Sequence, residues 1–366
     1  QTWRWSAAED SAIPSSLKKN FVTYSDAKPF AGGKEIILTS CEGGWAIFDR
    51  AKKTARAWGV CGTEAFSIEM IGEDIVAVSG KDDLGRHALR TIAASQLSDG
   101  LTCSRYPSVF KQVIPGYSLI WALMLHDHYV IFNDRLLVQE LLPKVEYMLD
   151  AFERARLPEG LIGSLPGWHY TDWVRVWPAG CSDRGENVPE TILNLFYAEA
   201  CCRTAELETA NGNPEKAEQL QSRAAKTLKA VNEFCYDPQK RRYIDAPQHP
   251  DYLSLHANTL AVLFGAVPEE ERTDFLREIT ADKELKPMSL YFSFYLLSAI
   301  RKYGTAEDLR AHYAPWEEML KSGSTTFPER PEVWRRSECH AWSCAPAWFL
   351  LRTSGQIKLY SETTNI

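Results

Sequence analysis

The residues with the clearest chemical potential lie near the carboxyl end of the chain. Glu329 ends the irregular stretch Gly323-Ser-Thr-Thr-Phe-Pro-Glu329, and His340 and Trp342 follow at the predicted start of a helix. Loops held by rigid elements often carry catalytic groups, and a carboxylate beside an aromatic side chain suits the cleavage of a glycosidic bond. An isolated Glu is usually a solvated surface residue. The interpretation of Glu329 therefore depends on the rest of the sequence.

Five short blocks strengthen that interpretation, and they occur in order between about residues 86 and 355. They are Asp99-Gly-Leu-Thr-Cys-Ser-Arg-Tyr-Pro-Ser108, Trp168-His-Tyr-Thr-Asp-Trp173, Leu255-His-Ala-Asn258, Tyr291-Phe-Ser-Phe-Tyr295 and Arg336-Ser-Glu-Cys-His-Ala-Trp-Ser343. Together the blocks resemble the bacterial α-L-rhamnosidases, six-hairpin (α/α toroid) enzymes of glycoside hydrolase family 78. Each block alone is a weak signal, but five in the family's order are a strong one.

The resemblance implies an inverting glycosidase that hydrolyses terminal α-L-rhamnosides. Such an enzyme needs two carboxyl groups about 6.5–9.5 Å apart, one protonated to assist the leaving oxygen and one ionised to activate water. Glu329 is the best candidate for the base. For the acid, Asp172 and Glu190 are the leading candidates within the resembling region, and Glu186 and Asp99 are weaker ones. Asp172 could instead simply form a turn, and an acid at a helix start such as Glu190 is favoured by the helix dipole alone.

A second group of residues is predicted to bind the sugar. Trp121, at helical spacing with its apolar neighbours, could instead belong to the core, as could His256 on an otherwise apolar helix. His340 could serve to orient the loop of Glu329, and Arg105 could hydrogen-bond a sugar hydroxyl or a carboxylate. The predicted substrate-binding residues are Arg105, Trp121, Trp173, His256, His340 and Trp342.

The family's own proton donor has no counterpart in this sequence. In the rhamnosidases that the chain resembles, the acid is the Glu of a motif of approximately Asp-Cys-Pro-x-x-Glu on an early helix. The corresponding positions, residues 50 to 70, are strand-like and lack the motif, although Glu64 and Glu69 lie there. We therefore expect a toroid without its first hairpin and with impaired hydrolysis, unless another carboxylate supplies the proton. A non-catalytic carbohydrate-binding toroid remnant, and a polysaccharide lyase or other glycosidase on the same fold, stay open as alternatives.

The hydrophobic pattern changes near residue 85. Before it, short apolar runs bounded by Gly, Asp and Lys predict antiparallel strands between residues 20 and 80, and this region resembles the opening blades of a β-propeller-like family of unknown function. After it, ten helices are predicted, two fewer than six hairpins need. We expect a β-rich domain at residues 1–84 and an α/α toroid at residues 85–366. The predicted helices are 86–97, 117–130, 134–156, 190–210, 213–235, 254–265, 268–280, 288–303, 306–321 and 338–352.

Composition argues against several other classes of protein. A net charge of −7 without a basic stripe disfavours a nucleic-acid partner, and no apolar run is long enough to predict a membrane span. The phosphate, dinucleotide and zinc-protease motifs do not occur. His126 and His128 lie two residues apart on a predicted helix and so face different directions. We expect a rhamnose-containing carbohydrate as partner, with no cofactor and no metal.

The cysteines and the first residue point to different compartments. Nine cysteines without metal-type spacing are most simply reduced thiols, which favours the cytoplasm. A chain that begins with Gln1 is also compatible with export and processing. The sequence therefore leaves localisation open.

Overall fold

The computed structural model describes residues 24–30, 34–40, 44–49, 51–52, 54–60, 67–71, 75–79, 83–330, 337 and 339–353. The chain divides into two compact units, Gln1–Ala88 and Leu89–Ile366. The expected domain boundary between residues 84 and 85 stays a prediction. Arg336 and Glu338 of the last family block, and Glu64, lie outside the described residues.

Antiparallel strands make up most of the described part of the first unit. β1 (Tyr24–Phe30), β2 (Glu35–Ser40), β3 (Gly44–Asp49) and β4 (Thr54–Val60) form one sheet in chain order, and β5 (Ser67–Ile71) pairs with β6 (Ile75–Ser79). The register of β2 and β3 is regular from Glu35 opposite Asp49, whereas β3 and β4 shift between Ile47 and Phe48. These strands confirm the expected small β region. A four-stranded sheet is the size of one propeller blade, and the propeller resemblance stays a prediction.

Helices dominate the rest of the described chain and confirm the mainly α fold. None of them is long and apolar enough to cross a membrane. Among the described residues no helix precedes α1, so the first hairpin of a toroid has no counterpart there. The helices are α1 (Asp83–Ala94), α2 (Pro115–Phe132), α3 (Arg135–Arg154), α4 (Thr191–Ala210), α5 (Pro214–Phe234), α6 (Leu255–Leu263), α7 (Arg272–Ala281), α8 (Ser293–Tyr303), α9 (Ala306–Ala311), α10 (Ala314–Lys321) and α11 (Ala345–Thr353), with a short hairpin of β7 (Tyr236–Asp237) and β8 (Arg242–Tyr243) between α5 and α6.

The helices fall into two layers that follow from their sequences. α4 and α6 are buried on nearly every side, as expected of helices that are apolar all round. α3, α5 and α7 bury a single stripe and expose their charged residues. α4 packs against α2, α3, α5 and α6, so the buried helices form an inner layer and the amphipathic helices an outer one, as in an α/α toroid.

Proline positions explain two of the places where the predicted helix boundaries differ from the structure. The predicted helix 306–321 is two helices, because Pro315 lacks the N–H that a continuous helix needs and restricts the residue before it. The predicted helix 338–352 begins only at Ala345, with Pro346 in its first turn. The predicted helix 288–303 also begins later, at Ser293. Thr305 caps α9 through a capping box with Asp308.

Candidate functional site

The loop that carries Glu329 is held by backbone hydrogen bonds. The Glu329 N–H donates to the Ser337 carbonyl at 2.8 Å, and the Trp342 indole N–H donates to the Glu329 carbonyl at 3.3 Å. One residue earlier, the Pro328 carbonyl accepts a hydrogen bond from the Ser343 hydroxyl at 2.7 Å. The residues just before α11 therefore fix the backbone on both sides of this carboxylate.

His340 and Trp342 complete this arrangement. The His340 N–H donates to the Phe327 carbonyl at 2.7 Å, and its ring lies 4.3 Å from the Trp342 ring, centre to centre. Trp342 is also stacked on Tyr291, 5.1 Å away. The structure thus brings His340 and Trp342 to Glu329, and it gives His340 the loop-orienting contact that its position in the sequence suggested.

Glu329 lines a cavity of about 490 Å³, a size typical of sites for small ligands. Its side chain is only 5% exposed, and it is the one acid among the described residues that line this cavity. The other lining residues are Trp173, Val174, Arg175, Val176, Lys286, Pro287, Met288, Ser289, Leu290, Ser293, Pro315, Arg330 and Trp342.

Asp172 lies behind this cavity rather than in its lining. Its side chain is fully buried, and protein donors reach both carboxylate oxygens. Oδ1 accepts from the Trp173 N–H at 2.8 Å and the Ser289 hydroxyl at 2.5 Å, whereas Oδ2 accepts from the Ser289 N–H at 2.9 Å. Nε2 of His256 lies 2.8 Å from Oδ2. Since Trp173 and Ser289 both line the cavity, this carboxylate ties two of its walls together.

His256 is also fully buried. Its ring lies 4.7 Å from the Trp177 ring and 4.5 Å from the Phe292 ring, centre to centre. Nδ1 has no hydrogen-bond partner among the described residues. The structure therefore places His256 as the support of Asp172, one layer away from the cavity.

Glu190 belongs to a separate buried network with His169 and Asp183. Nδ1 of His169 lies 2.9 Å from Glu190 Oε1 and 3.3 Å from Asp183 Oδ2, and the Ser182 hydroxyl donates to Glu190 Oε2. Burial opposes the charged ring, but hydrogen bonds to the two carboxylates outweigh it and raise the pKa of His169 to about 10. Burial raises the pKa of Glu190, as expected of a carboxyl group without access to water.

The same three side chains have the donor types of a metal site. Their ligand atoms lie within 4.8 Å of one another, and imidazole with carboxylate suits several divalent ions. However, Nε2 of His169 lies 2.7 Å from the Leu165 carbonyl, so both ring nitrogens have acceptors. A doubly protonated ring therefore satisfies the network without a metal. The sequence pair His126 and His128 is not a metal site either, because each ring meets its own carboxylate, Glu206 and Asp134.

A small cavity of about 20 Å³ borders this network, with room for about one water molecule. Tyr170 lies in its lining with Tyr117 and Tyr291, and its hydroxyl is buried without a partner among the described residues. Burial and the nearby charge of Asp172 raise the pKa of Tyr170. Its hydroxyl therefore stays protonated and can donate to a water or a ligand.

Two predicted substrate-binding residues do not reach the Glu329 cavity. Trp121 is fully buried, and its indole N–H donates to the Leu89 carbonyl at 3.2 Å, which places it in the core. Arg105 is exposed and donates to the Gln112 side chain at 3.2 Å. The weaker acid candidates also lie elsewhere: Asp99 accepts from the Leu101 N–H in a turn, and Glu186 pairs with His249.

Sequence reasoning missed Arg330, Ser289 and His169. Arg330 directly follows the predicted base, and its guanidinium lies 6.0 Å from the centre of the Trp173 ring. His169 lies in the block Trp168–Trp173, but nothing in the sequence indicates its two carboxylate partners. Ser289 precedes another block by two residues, and nothing in its type or spacing distinguishes it from an ordinary loop serine.

Comparison with solved structures gives similar folds. A GH78 family rhamnosidase of Bacillus sp. GL1 is 24% identical with a TM-score of 0.66, over 75% of this chain and 30% of that one. A rhamnosidase from Klebsiella oxytoca with rhamnose bound is 22% identical with a TM-score of 0.64, over 75% of this chain and 55% of that one. An α-L-rhamnosidase from Aspergillus terreus has a TM-score of 0.58 at 14% identity, over 74% of this chain and 33% of that one.

These relatives are longer proteins, and the chain spans between 30% and 55% of each of them. No curated protein matches the sequence. Residues 77–353 match the bacterial alpha-L-rhamnosidase 6 hairpin glycosidase domain, which covers more than half of the 366 residues. The expected glycoside hydrolase fold is therefore confirmed, and the chain belongs to the family of bacterial α-L-rhamnosidase six-hairpin glycosidase domains.

Proposed function

We propose that this chain binds and hydrolyses terminal α-L-rhamnosides, with Glu329 as the base that activates water. The observation that carries the proposal is a buried carboxylate in a ligand-sized cavity with an aromatic wall. Glu329 is 5% exposed, and Trp173 and Trp342 line the same cavity. Indole rings offer large apolar faces with one polar N–H, so they suit the mixed surface of a sugar.

Two aspects of the Glu329 environment support a role as base. Its backbone is fixed by Ser337 and Trp342, which keeps the carboxylate in one place as a catalytic group requires. Glu329 is also the one acid among the described residues that line the cavity, so it is the one described carboxylate there that can accept a proton. An ionised Glu329 can accept the proton of the attacking water.

The proposed mechanism has a base, Glu329, but no second carboxyl group in the described lining of the cavity to donate a proton. Asp172 is fully buried with both oxygens occupied by protein donors, and Glu190 is 3% exposed and bonded to His169. Neither carboxyl group lines the Glu329 cavity among the described residues. We propose that Asp172 positions Trp173 and Ser289, and that acid assistance in this chain is reduced.

A second candidate function follows from the same observation. With Glu329 as the one acid in the described lining, the cavity could bind a rhamnoside without cleaving it. The two functions differ in turnover but not in binding. Binding of rhamnose, followed by the fluorescence of the cavity tryptophans, is expected in both cases.

The deciding experiment compares the chain with its Glu329→Gln variant on an aryl α-L-rhamnoside. Hydrolysis with release of the β-anomer of rhamnose, followed by proton NMR, supports the inverting enzyme if Glu329→Gln abolishes it. Rhamnose binding without any hydrolysis supports the carbohydrate-binding alternative. Hydrolysis that survives Glu329→Gln rejects Glu329 as the base.

A further inference from the structure

The described residues that line the Glu329 cavity carry more positive than negative charge. Arg175, Lys286 and Arg330 line it together with one acid, Glu329, among the described residues. The chain as a whole has a net charge of −7. Because the chain as a whole is acidic, the excess of two positive charges among the described lining residues does not follow from composition.

These three cations lack acidic partners within the described residues, unlike other cations of the helical unit. Arg156 pairs with Glu153 and Arg223 with Asp150, whereas Lys286 appears in no such ion pair. Cavity walls with unpaired charges of one sign attract ligands of the opposite sign. The charges of the cavity are therefore available to a ligand.

Two backbone hydrogen bonds hold Lys286 between Leu253 and Leu255. Its N–H donates to the Leu253 carbonyl at 3.0 Å, and its carbonyl accepts from the Leu255 N–H at 3.0 Å. Arg330 adjoins the fixed base, and its guanidinium lies over the Trp173 ring at 6.0 Å. The backbone position of Lys286 is therefore set before any ligand binds.

Rhamnose itself is neutral, so these cations have no oppositely charged partner on the sugar that is released. We infer that the sugar next to rhamnose carries an anionic group, either the carboxylate of a uronic acid or a sulfate ester. This inference rests on the proposed function, because it assumes that rhamnose occupies the part of the cavity beside Glu329. Arg175 is exposed and Lys286 is partly exposed, as expected of groups that meet the outer sugar. Guanidinium groups bind carboxylate and sulfate oxygens through paired hydrogen bonds.

The experiment measures binding rather than cleavage, so that it stands apart from the test of catalysis. All binding measurements use the full chain with Glu329→Gln, a variant that we expect to lack turnover because an amide cannot accept the proton of the attacking water. Calorimetry compares three disaccharides with α-L-rhamnose on glucuronic acid, on its methyl ester and on glucose 6-sulfate. An exposed ion pair changes affinity by about 2–5-fold. Ion pairs with both Arg175 and Lys286 should therefore make the acid or the sulfate bind about tenfold more tightly than the ester. Whichever of the two anions binds more tightly, carboxylate or sulfate, identifies the anionic group on the sugar next to rhamnose.

Substitutions then test which side chains are responsible. Lys286→Gln and Arg175→Gln should each reduce the preference for the anion by about 2–5-fold, with little effect on the ester. Lys229→Gln, which removes an exposed lysine of α5, is the matched control and should leave the preference intact. Raising the salt concentration should also weaken the preference, since the Debye length falls below about 10 Å above 0.1 M.

Each result decides between the two proposals. Equal affinity for the acid, the sulfate and the ester overturns the inference, even if the wild-type chain hydrolyses aryl rhamnosides. Preferential binding of an anion without any hydrolysis by the wild-type chain supports the inference and rejects the enzymatic proposal. Absence of binding by all three disaccharides rejects both.

Discussion

The substitution Asp172→Asn separates an acid catalyst from a positioning residue. An amide has nearly the same shape as the carboxylate, but its nitrogen cannot accept a hydrogen bond. With the nitrogen at the Oδ1 position the Trp173 N–H loses its acceptor, and with the nitrogen at the Oδ2 position the Ser289 N–H loses its acceptor. The Ser289 hydroxyl and the His256 ring can reverse their roles, but a backbone N–H cannot.

The expected loss of stability on Asp172→Asn follows from these contacts. One unsatisfied buried N–H costs about 1–3 kcal/mol, and hydrogen bonds to a charged acceptor contribute about 1.5–3 kcal/mol each against about 1 kcal/mol for a neutral one. Asp172→Asn should therefore lower the free energy of unfolding by about 2–5 kcal/mol. As a positioning residue it should also raise KM, because Trp173 and Ser289 line the cavity, while kcat for an aryl rhamnoside falls by less than about tenfold.

Urea denaturation followed by circular dichroism measures the stability of the helices, and initial rates at a temperature well below the transition give kcat and KM. The control is Asp251→Asn, whose side chain is 92% exposed and which should change the free energy of unfolding by less than about 0.5 kcal/mol. An Asp172→Asn protein that is as stable as the parent but has lost its turnover would refute the reasoning and restore Asp172 as the acid.

Three further predictions concern the base, the leaving group and pH. Glu329→Gln should remove nearly all turnover of an aryl α-L-rhamnoside without unfolding the chain, measured by initial rates and circular dichroism. General acid assistance is worth about 10²–10⁴-fold, so the ratio of dinitrophenyl to disaccharide hydrolysis should be far larger than in a homologue that retains the acid motif; equal ratios would indicate a resident donor. Because the pKa of His169 is raised to about 10, the charged ring stabilises the folded chain. This stabilisation is fully present below pH about 6.5, the ordinary pKa of His, and is lost as pH rises through about 10. The melting temperature of His169→Gln should accordingly lie below that of the parent at pH 6 and approach it at pH 10; a gap that stays constant would contradict this assignment.

The fold was predictable because its signals are local. The change from short apolar runs to helical spacing near residue 85 identified the strands and the helices. Prolines set two of the boundaries that were missed, since Pro315 and Pro346 each lie at the second position of a helix that begins inside a segment periodicity alone treats as continuous. A periodic pattern measures which residues face the core, and it carries little information about the exact turn at which a helix begins.

The site was predictable only in part. Glu329, Trp173, His340 and Trp342 were found through the resemblance of whole blocks, and the structure brings all four together. Trp121 was not separable from a sugar-binding tryptophan, because a large aromatic residue at helical spacing fits a core and a cavity wall equally well. Its burial depends on which face of α2 meets the neighbouring helices, and that is set by residues far away in the sequence.

The geometry of the cavity explains why buried residues that never contact the sugar can still control this site. Most of its described side chains come from three long connections between helices: Trp173 lies between α3 and α4, Ser289 between α7 and α8, and Glu329 between α10 and α11. Connections of this length are mobile unless something fixes them. Asp172 joins the first two through its carboxylate, and the stacking of Trp342 on Tyr291 joins the second to the third. Since each connection is held by another one, the loss of one buried contact should displace side chains on two connections at once. The substitution Asp172→Asn should therefore affect substrate binding more than the chemical step.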